Sequence, residues 1–255
     1  PGTYAVTGGG TQCVGGPGLP VGLSGSAAGI NYQLYLGGLP TGAPVAGTGA
    51  AITFGLQTMA GTYTVVATDA VTGCVNNMTG SVAIILNPLP TVYAMTGGGS
   101  YCSGGTGVSV GLASSDLGID YELYLGGVPT GNILAGTGIA LDFGLQTAAG
   151  GYTVVATNTA TTCVNNMSGV AVVIINPLPS IYSVTGGGSY CAGDAGVSVG
   201  LSNSDLGINY QLYIGGVPTG APLAGVGGAL DFGLQTGAGT YTVIATNSIT
   251  GCVEN

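Results

Sequence analysis

The most constraining feature of the chain is an internal repeat of 89 residues. The string Tyr-Ala-Val-Thr-Gly-Gly-Gly at Tyr4 returns with small changes at Tyr93 and Tyr182, and both steps are 89 residues long. Two sets of cysteines keep the same spacing: Cys13, Cys102 and Cys191, and Cys74, Cys163 and Cys252. Because the period never drifts, we expect three copies of one folding unit.

Short segments with two prolines separate the copies. Residues 87–90 read Asn-Pro-Leu-Pro, and residues 176–180 repeat this string with a following serine. Proline restricts its own backbone and that of the preceding residue to extended conformations, so these segments are predicted to be stiff, short linkers. The predicted domains are residues 1–89, 90–178 and 179–255. The third stops before the stretch that residues 167–175 supply in the second, so we expect it to lack its last strand.

Alternation of apolar and polar residues indicates strands within each copy. In repeat two, Val108, Val110 and Leu112 alternate with small or polar neighbours, and no window shows helical periodicity. The seven strands predicted for this repeat lie near residues 91–96, 108–112, 119–125, 132–135, 141–146, 152–156 and 169–175. Seven strands in about 90 residues favour an immunoglobulin-like sandwich. The predicted fold class is all-β: three tandem Ig-like β-sandwich repeats in an elongated array.

The charge composition excludes several kinds of function. The chain has no Lys, Arg or His against nine Asp and Glu, which gives a net charge of -9. Binding of nucleic acid depends on basic residues that neutralise phosphates, so it is excluded. Histidine bases, arginine clamps and lysine Schiff bases are also missing. The longest near-apolar run, residues 169–175, is far shorter than a membrane span.

The acidic residues do not recur in all three copies. The positions of the aspartates in repeats two and three correspond to uncharged residues in repeat one: Asp116 and Asp205 to Ala27, and Asp142 and Asp231 to Thr53. A catalytic or metal-binding pair would therefore not be shared by all three copies. We expect no enzyme, no catalytic residue, no cofactor and no metal; a calcium site at Asp116 and Asp120 is the minor alternative to turn formation.

The even cysteine count predicts disulfides at Cys13, Cys74, Cys102, Cys163, Cys191 and Cys252, formed in an extracellular, oxidising space. One scheme pairs the two cysteines within each copy. However, Cys102 precedes the second strand and Cys163 follows the sixth, which runs in the same direction, so their ends lie roughly 20 Å apart. A disulfide needs Cα atoms within about 7 Å. The other scheme joins neighbouring copies through Cys13–Cys163 and Cys102–Cys252, with Cys74 and Cys191 pairing to flanking repeats. Both schemes remain open.

The order of short motifs in each copy resembles a known family. It runs Cys, Val-x-Val-Gly-Leu, Gly-Ile-x-Tyr-x-Leu-Tyr, Gly-Gly-x-Pro, Phe-Gly-Leu-Gln-Thr, Gly-x-Tyr-Thr-Val and Cys-Val. This resembles the tandem Ig-like or PKD-like repeats of giant bacterial cell-surface adhesins, in the type IX secreted class of gliding bacteria. The resemblance implies a secreted, surface-attached fibre. The chain departs from many such repeats at Leu34, Leu123 and Leu212, where a core tryptophan is common.

Two hypotheses for function follow. The first is a structural extracellular fibre or adhesin stalk that spaces or presents an adhesive element. The alternative is a multivalent module whose repeats bind carbohydrate or protein. The expected partners are flanking repeats of the same or identical chains, and an outward apolar stripe at Val66, Val155 and Ile244 predicts lateral self-association. The opening Pro-Gly-Thr-Tyr indicates the interior of a longer protein, and sequons at Asn77 and Asn166 leave glycosylation open.

Overall fold

A computed structural model describes residues 1–255 as a chain of 25 strands. Repeat one contains β1 (Val6–Gly8), β2 (Gly10–Cys13), β3 (Leu19–Leu23), β4 (Ile30–Leu36), β5 (Leu39–Ala46), β6 (Ile52–Gln57), β7 (Gly61–Asp69), β8 (Val75–Asn77) and β9 (Val82–Asn87). Repeat two contains β10 (Met95–Gly97), β11 (Gly99–Cys102), β12 (Val108–Leu112), β13 (Ile119–Leu125), β14 (Val128–Ala135), β15 (Leu141–Gln146), β16 (Gly150–Asn158), β17 (Val164–Asn166) and β18 (Ala171–Asn176). Repeat three contains β19 (Val184–Gly186), β20 (Val197–Leu201), β21 (Ile208–Ile214), β22 (Val217–Ala224), β23 (Leu230–Gln235), β24 (Tyr241–Asn247) and β25 (Val253–Glu254). No helix that could cross a membrane is present.

Each of the first two repeats is a sandwich of two sheets. In repeat one, β1-β3-β6 form one sheet, and β2-β9-β7-β4-β5 form the other, with β8 beside β7. Repeat two has the same order in β10-β12-β15 and β11-β18-β16-β13-β14, with β17 beside β16. All pairs are antiparallel except β2 with β9 and β11 with β18. The chain is therefore all-β and folds as tandem Ig-like sandwiches.

The first strand, predicted near residues 91–96, begins later, as β10 at Met95, and a second short strand, β11, follows it in the other sheet. β10 pairs with β12, and β11 pairs with β18 in the opposite sheet. The chain crosses at Gly98, whose φ is +79° and where an added Cβ would lie 2.8 Å from the Val172 carbonyl oxygen. Only glycine fits this crossing without strain. Alternation could not show this crossing, because Gly97, Gly98 and Gly99 carry no side chains and therefore give no alternating pattern.

Two other strand bounds also differ from prediction. The short strand expected at residues 132–135 starts four residues earlier, at Val128, because it forms a tight hairpin with β13. The last strand, expected at residues 169–175, is β18, and an additional short strand, β17, precedes it. The two strands pair with different parts of β16. Each complete repeat thus has nine strand segments rather than seven.

Three separate hydrophobic clusters form the cores, and each draws on one repeat only. In repeat two, the inward positions of the alternating strands are fully buried, among them Val110, Tyr121 and Leu123. Leu123 fills the site where many related sandwiches have tryptophan. With almost no charged residues, the fold depends on this apolar burial and on backbone ladders.

Tyrosines in β7, β16 and β24 fix the loops that precede these strands. The Tyr152 hydroxyl donates to the Ala148 carbonyl oxygen at 2.9 Å, and Tyr63 and Tyr241 make the corresponding bond to Met59 and Gly237. This is the tyrosine corner of Ig-like folds. This hydrogen bond is a further feature of the Ig-like fold that the sequence predicted.

Candidate functional site: the junctions between repeats

The first cysteine of each junction lies beside the start of the linker. Cys13 is the last residue of β2 and is the ladder partner of Asn87, the last residue of β9. The Val14 N–H then donates to the Asn87 carbonyl oxygen at 2.9 Å. Repeat two copies this arrangement with Cys102 opposite Asn176. The parallel pairing therefore brings the cysteine to the end of the domain from which the chain leaves.

The second cysteine of the junction lies in the loop that follows β16 of the next repeat. Asn158 shapes this loop, because its side-chain oxygen accepts from the Ala160 and Thr161 N–H groups at 2.9 and 3.0 Å. Its backbone N–H donates to the Cys163 carbonyl oxygen at 2.8 Å. Nearby, the Asn165 side-chain amide donates to the Pro90 carbonyl oxygen at 2.9 Å. The linker thus enters repeat two beside Cys163.

Two disulfides connect neighbouring repeats. Cys13 is bonded to Cys163 with a Cα–Cα distance of 5.6 Å, and Cys102 is bonded to Cys252 with 5.5 Å. Each links residues 150 positions apart in the chain. Of the two pairing schemes, the structure has the one across the junctions and none of the pairs within a repeat. The cause is topology, because the two cysteines of one repeat lie at opposite ends of its sandwich.

The remaining two cysteines depart from the full set of six predicted in disulfides. Cys74 and Cys191 are free and exposed. The counterparts of Cys74, which are Cys163 and Cys252, are fully buried, and those of Cys191, which are Cys13 and Cys102, are half-buried. The reason is position in the array. Within residues 1–255, no repeat precedes repeat one to meet Cys74, and none follows repeat three to meet Cys191.

The aspartates singled out from the sequence serve as hydrogen-bond acceptors inside the repeats. The Tyr93 hydroxyl donates to Asp116 at 2.6 Å, and this bond lowers the pKa of Asp116. The Ser109 hydroxyl donates to Asp142 at 2.6 Å and lowers the pKa of that carboxyl. Asp120 adds no third ligand to a cation site, because no group of three or more His, Cys, Asp or Glu side chains converges. These contacts tie loops and strands together.

The residues predicted for lateral contact lie on the outer face of the larger sheet. Val155 is half-buried between its ladder partners Glu122 and Asn166, and Val66 and Ile244 are half-buried as well. On the same face, the side chains Val172 and Ile174 of β18 are about half exposed. The sequons at Asn77 and Asn166 lie in exposed positions of β8 and β17. Lateral association stays a prediction.

Comparison with known proteins gives remote structural likenesses only. No protein-family model matches the chain, and no curated protein matches it. Among solved structures, the human OSCAR ligand-binding domain is 15% identical with a TM-score of 0.30, covering 68% of this chain and 98% of its own. Sidekick-1 immunoglobulin domains 1–4 are 14% identical with a TM-score of 0.27, covering 99% and 69%. An ICAM-5 D1–D4 ectodomain fragment is 15% identical with a TM-score of 0.35, covering 99% and 70%. The fold assignment rests on the strand order itself.

Proposed function

We propose that the chain is a stiff spacer in an extracellular fibre or stalk, holding an adhesive element of a longer protein away from its base. The observation that carries this proposal is the disulfide across each junction. Domains joined by a single short linker are expected to move relative to one another unless their interface is large and apolar. A second covalent connection restricts that movement.

The geometry of the junction makes the restriction effective. The peptide chain leaves repeat one after Asn87, and the disulfide leaves from Cys13 on the neighbouring strand. Two connections on adjacent strands prevent one repeat from rotating about the linker. The proline-containing linker and the Asn165 bond to Pro90 remove further freedom. The orientation of one repeat therefore fixes the orientation of the next.

The hydrogen bonds of the polar side chains support a structural role rather than a catalytic one. Asp116 and Asp142 are engaged by Tyr93 and Ser109, and repeat one forms the same fold with Ala27 and Thr53 in their places. A function that each repeat carried out through these carboxylates would be lost from repeat one. The three copies instead share their core and junction residues, which suits a spacer.

The disulfides also support an extracellular location, since such bonds persist in oxidising compartments. The motif order that resembles bacterial adhesin repeats supports attachment at a cell surface, in the class exported by gliding bacteria. Complete lack of Lys and Arg suits a protein exposed to proteases, because trypsin-like enzymes cleave after those residues.

The test measures the angle between neighbouring repeats by electron microscopy of single molecules and by X-ray scattering. The variant carries Cys13→Ser, Cys163→Ser, Cys102→Ser and Cys252→Ser, and the matched control carries Cys74→Ser and Cys191→Ser. We expect narrow angular distributions for the wild type and the control, and broad ones for the junction variant. An oxidised wild type that bends as freely as the junction variant would rule out the spacer function.

A further inference from the structure

The larger sheet of repeat two ends in an edge strand, β14, that differs from its counterparts in the other repeats. β14 is the last strand in the order β11-β18-β16-β13-β14 and pairs with β13. Ile133 lies in this strand at the position of Pro44 in repeat one and Pro222 in repeat three. Proline has no backbone N–H, and proteins use it to block the edges of sheets. Repeat two alone lacks this block.

The backbone of Ile133 faces away from the sheet. The Gly136 N–H donates to the Ile119 carbonyl oxygen at 2.7 Å, and hydrogen-bonded and non-hydrogen-bonded pairs alternate along an antiparallel ladder. Counting back from Gly136, the Leu134 backbone faces β13, whereas the N–H and C=O groups of Ile133 and Ala135 point outward. These groups can pair with an added strand.

The prolines of the other repeats occupy the same outward position. In repeat one, the Gly47 N–H donates to the Ile30 carbonyl oxygen at 2.8 Å, which places Pro44 at an outward-facing position of β5. Repeat three has the same bond at Gly225 and the same placement of Pro222. A strand that approached either edge would meet a proline ring where it needs an N–H donor. Edge pairing is therefore open in repeat two and hindered in the other two repeats.

A second difference holds β14 in place. The Asn132 side-chain amide donates to the Phe143 carbonyl oxygen at 3.0 Å and ties the edge strand to β15 of the opposite sheet. The equivalent residues, Ala43 and Ala221, have no such donor. A strand that is fixed before binding loses less conformational freedom when a partner is added. The edge of repeat two is therefore both open and fixed in position.

Two carboxylates stand beside this edge in repeat two only. Asp120 and Glu122 of β13 are the ladder partners of Ala135 and Ile133, so the four side chains share the outer face of the sheet. Repeats one and three have asparagine and glutamine at the two acidic positions. Asp120 is the one side-chain carboxylate of the nine that accepts no hydrogen bond within the chain. Its charge is available to a partner.

The glutamines of the other repeats serve the fold in a way that Glu122 does not. The Gln33 side-chain amide donates to two backbone carbonyl oxygens of β5 at 2.9 and 3.2 Å, and Gln211 makes the equivalent bonds in repeat three. A carboxylate has no N–H to donate. Glu122 instead accepts from the Tyr124 hydroxyl at 3.3 Å. Repeat two thus gives up these bonds to the edge strand and gains a negative charge beside it.

We propose that the β14 edge of repeat two binds an extended, basic segment of another protein, which adds a strand to the larger sheet and places Lys or Arg side chains over Asp120 and Glu122. Two strand spacings, about 10 Å, separate β13 from the added strand, and a long basic side chain crosses this distance above the small Ala135. A second copy of the chain is a poorer occupant, because it has no Lys or Arg and would bring its own carboxylates to the same face. The site adds a binding function to the flank of the rod and does not depend on the spacer function.

The first experiment tests the open backbone. A fluorescent peptide with blocked ends, Thr-Lys-Val-Lys-Val-Lys-Thr, is titrated with the 255-residue chain, and fluorescence anisotropy is expected to show one peptide bound per chain. Ile133→Pro should weaken binding at least about tenfold, because it removes an N–H donor and blocks the edge. This variant keeps the net charge of -9 and carries the residue with which the other two repeats fold. Absence of binding to the wild type, or equal binding to both proteins, would overturn the proposal.

The second experiment tests the carboxylates. Asp120→Asn with Glu122→Gln is expected to weaken binding about three- to tenfold, as the loss of two exposed charge pairs would. The matched control removes two charges elsewhere, through Asp69→Asn and Asp194→Asn, and should bind the peptide like the wild type. A peptide with glutamate in place of each lysine should not bind. Equal loss in the two variants, or binding of the acidic peptide, would contradict recognition of a basic segment at β14.

The third experiment transfers the site to repeat one. A variant with Asn31→Asp, Gln33→Glu, Ala43→Asn and Pro44→Ile carries the edge residues of repeat two in both repeats. The expected stoichiometry rises from one peptide per chain to two, while circular dichroism and the angles between repeats stay unchanged. A folded variant that still binds a single peptide would show that these residues do not form the site.

Discussion

Cys102 lies directly opposite Asn176 in the parallel ladder between β11 and β18. Cys102 carries the disulfide to repeat three, and Asn176 is the residue after which the linker to repeat three begins. Both connections to the next repeat therefore leave from neighbouring strands of one sheet, about 4.8 Å apart.

Mapping of disulfide-linked peptides tests the junction directly. Digestion with pepsin under non-reducing conditions is expected to release peptides that link Cys13 to Cys163 and Cys102 to Cys252. Cys74 and Cys191 should react with a thiol label in the monomeric chain, because both are exposed. A peptide that links Cys102 to Cys163 would contradict the pairing across junctions.

Substitution of a buried tyrosine tests the anchoring of the loops. The Tyr121 hydroxyl accepts a bond from the Asp116 N–H at 2.9 Å, and Tyr121 is fully buried. Tyr121→Phe removes this acceptor and is expected to cost about 1–3 kcal/mol of stability in repeat two. The control Tyr124→Phe, on the outer face, should cost less than about 0.5 kcal/mol. Urea denaturation measures both, and equal effects would refute the anchoring role.

Acid is expected to weaken repeats two and three more than repeat one. The hydroxyl bonds from Tyr93 and Ser109 lower the pKa values of Asp116 and Asp142 in the folded state. As the pH falls, the unfolded chain therefore binds protons before the folded chain does. The stabilisation from these two bonds is complete above the unfolded pKa of about 4, and it is lost as the pH falls through the folded pKa values. Calorimetry between pH 7 and 2 should show that the double variant Asp116→Asn with Asp142→Asn loses less stability in acid than the wild type does. An unchanged pH dependence would contradict this assignment.

Trypsin should leave the folded or unfolded chain intact, because no Lys or Arg is present. Mass spectrometry after prolonged incubation is expected to find the full mass only. Chymotrypsin provides the contrast, since its sites are present but the tyrosines of the cores are buried. We expect it to cleave rapidly only after reduction and denaturation. Any tryptic fragment would disprove the first expectation.

Lateral association through the outer face of the larger sheet remains a further prediction. Val155 and the exposed side chains Val172 and Ile174 lie on the same outer face of the larger sheet in repeat two. Sedimentation at high protein concentration is expected to show side-by-side association that Val172→Asp with Ile174→Asp abolishes. Thr106→Asp, at an exposed position of the loop between β11 and β12, adds a negative charge there and serves as the control. Association that persists in the double variant would place the contact elsewhere.

Much of the fold could be predicted because period and alternation are local properties of the chain. The alternation around Val110, Tyr121 and Leu123 predicted buried positions, and those residues are buried. The crossing at Gly98 could not be predicted in this way, because the alternation does not record which sheet a strand joins. The period alone also predicts that residues 179–255 hold no counterpart of β18, whereas the place of β18 between β11 and β16 is known only from the ladders.

The sequence by itself determined the repeat, the all-β class, the absence of basic chemistry and the cysteine positions, because each depends on residue identity and spacing along the chain. Only the tertiary structure decided how the cysteines pair. The pairing of Cys13 with Cys163 spans 150 residues, and the parallel ladder that carries Cys13 to the junction is a contact between distant segments. A disulfide needs Cα atoms only about 5.5 Å apart, and that proximity is fixed when the sandwiches are folded and placed end to end.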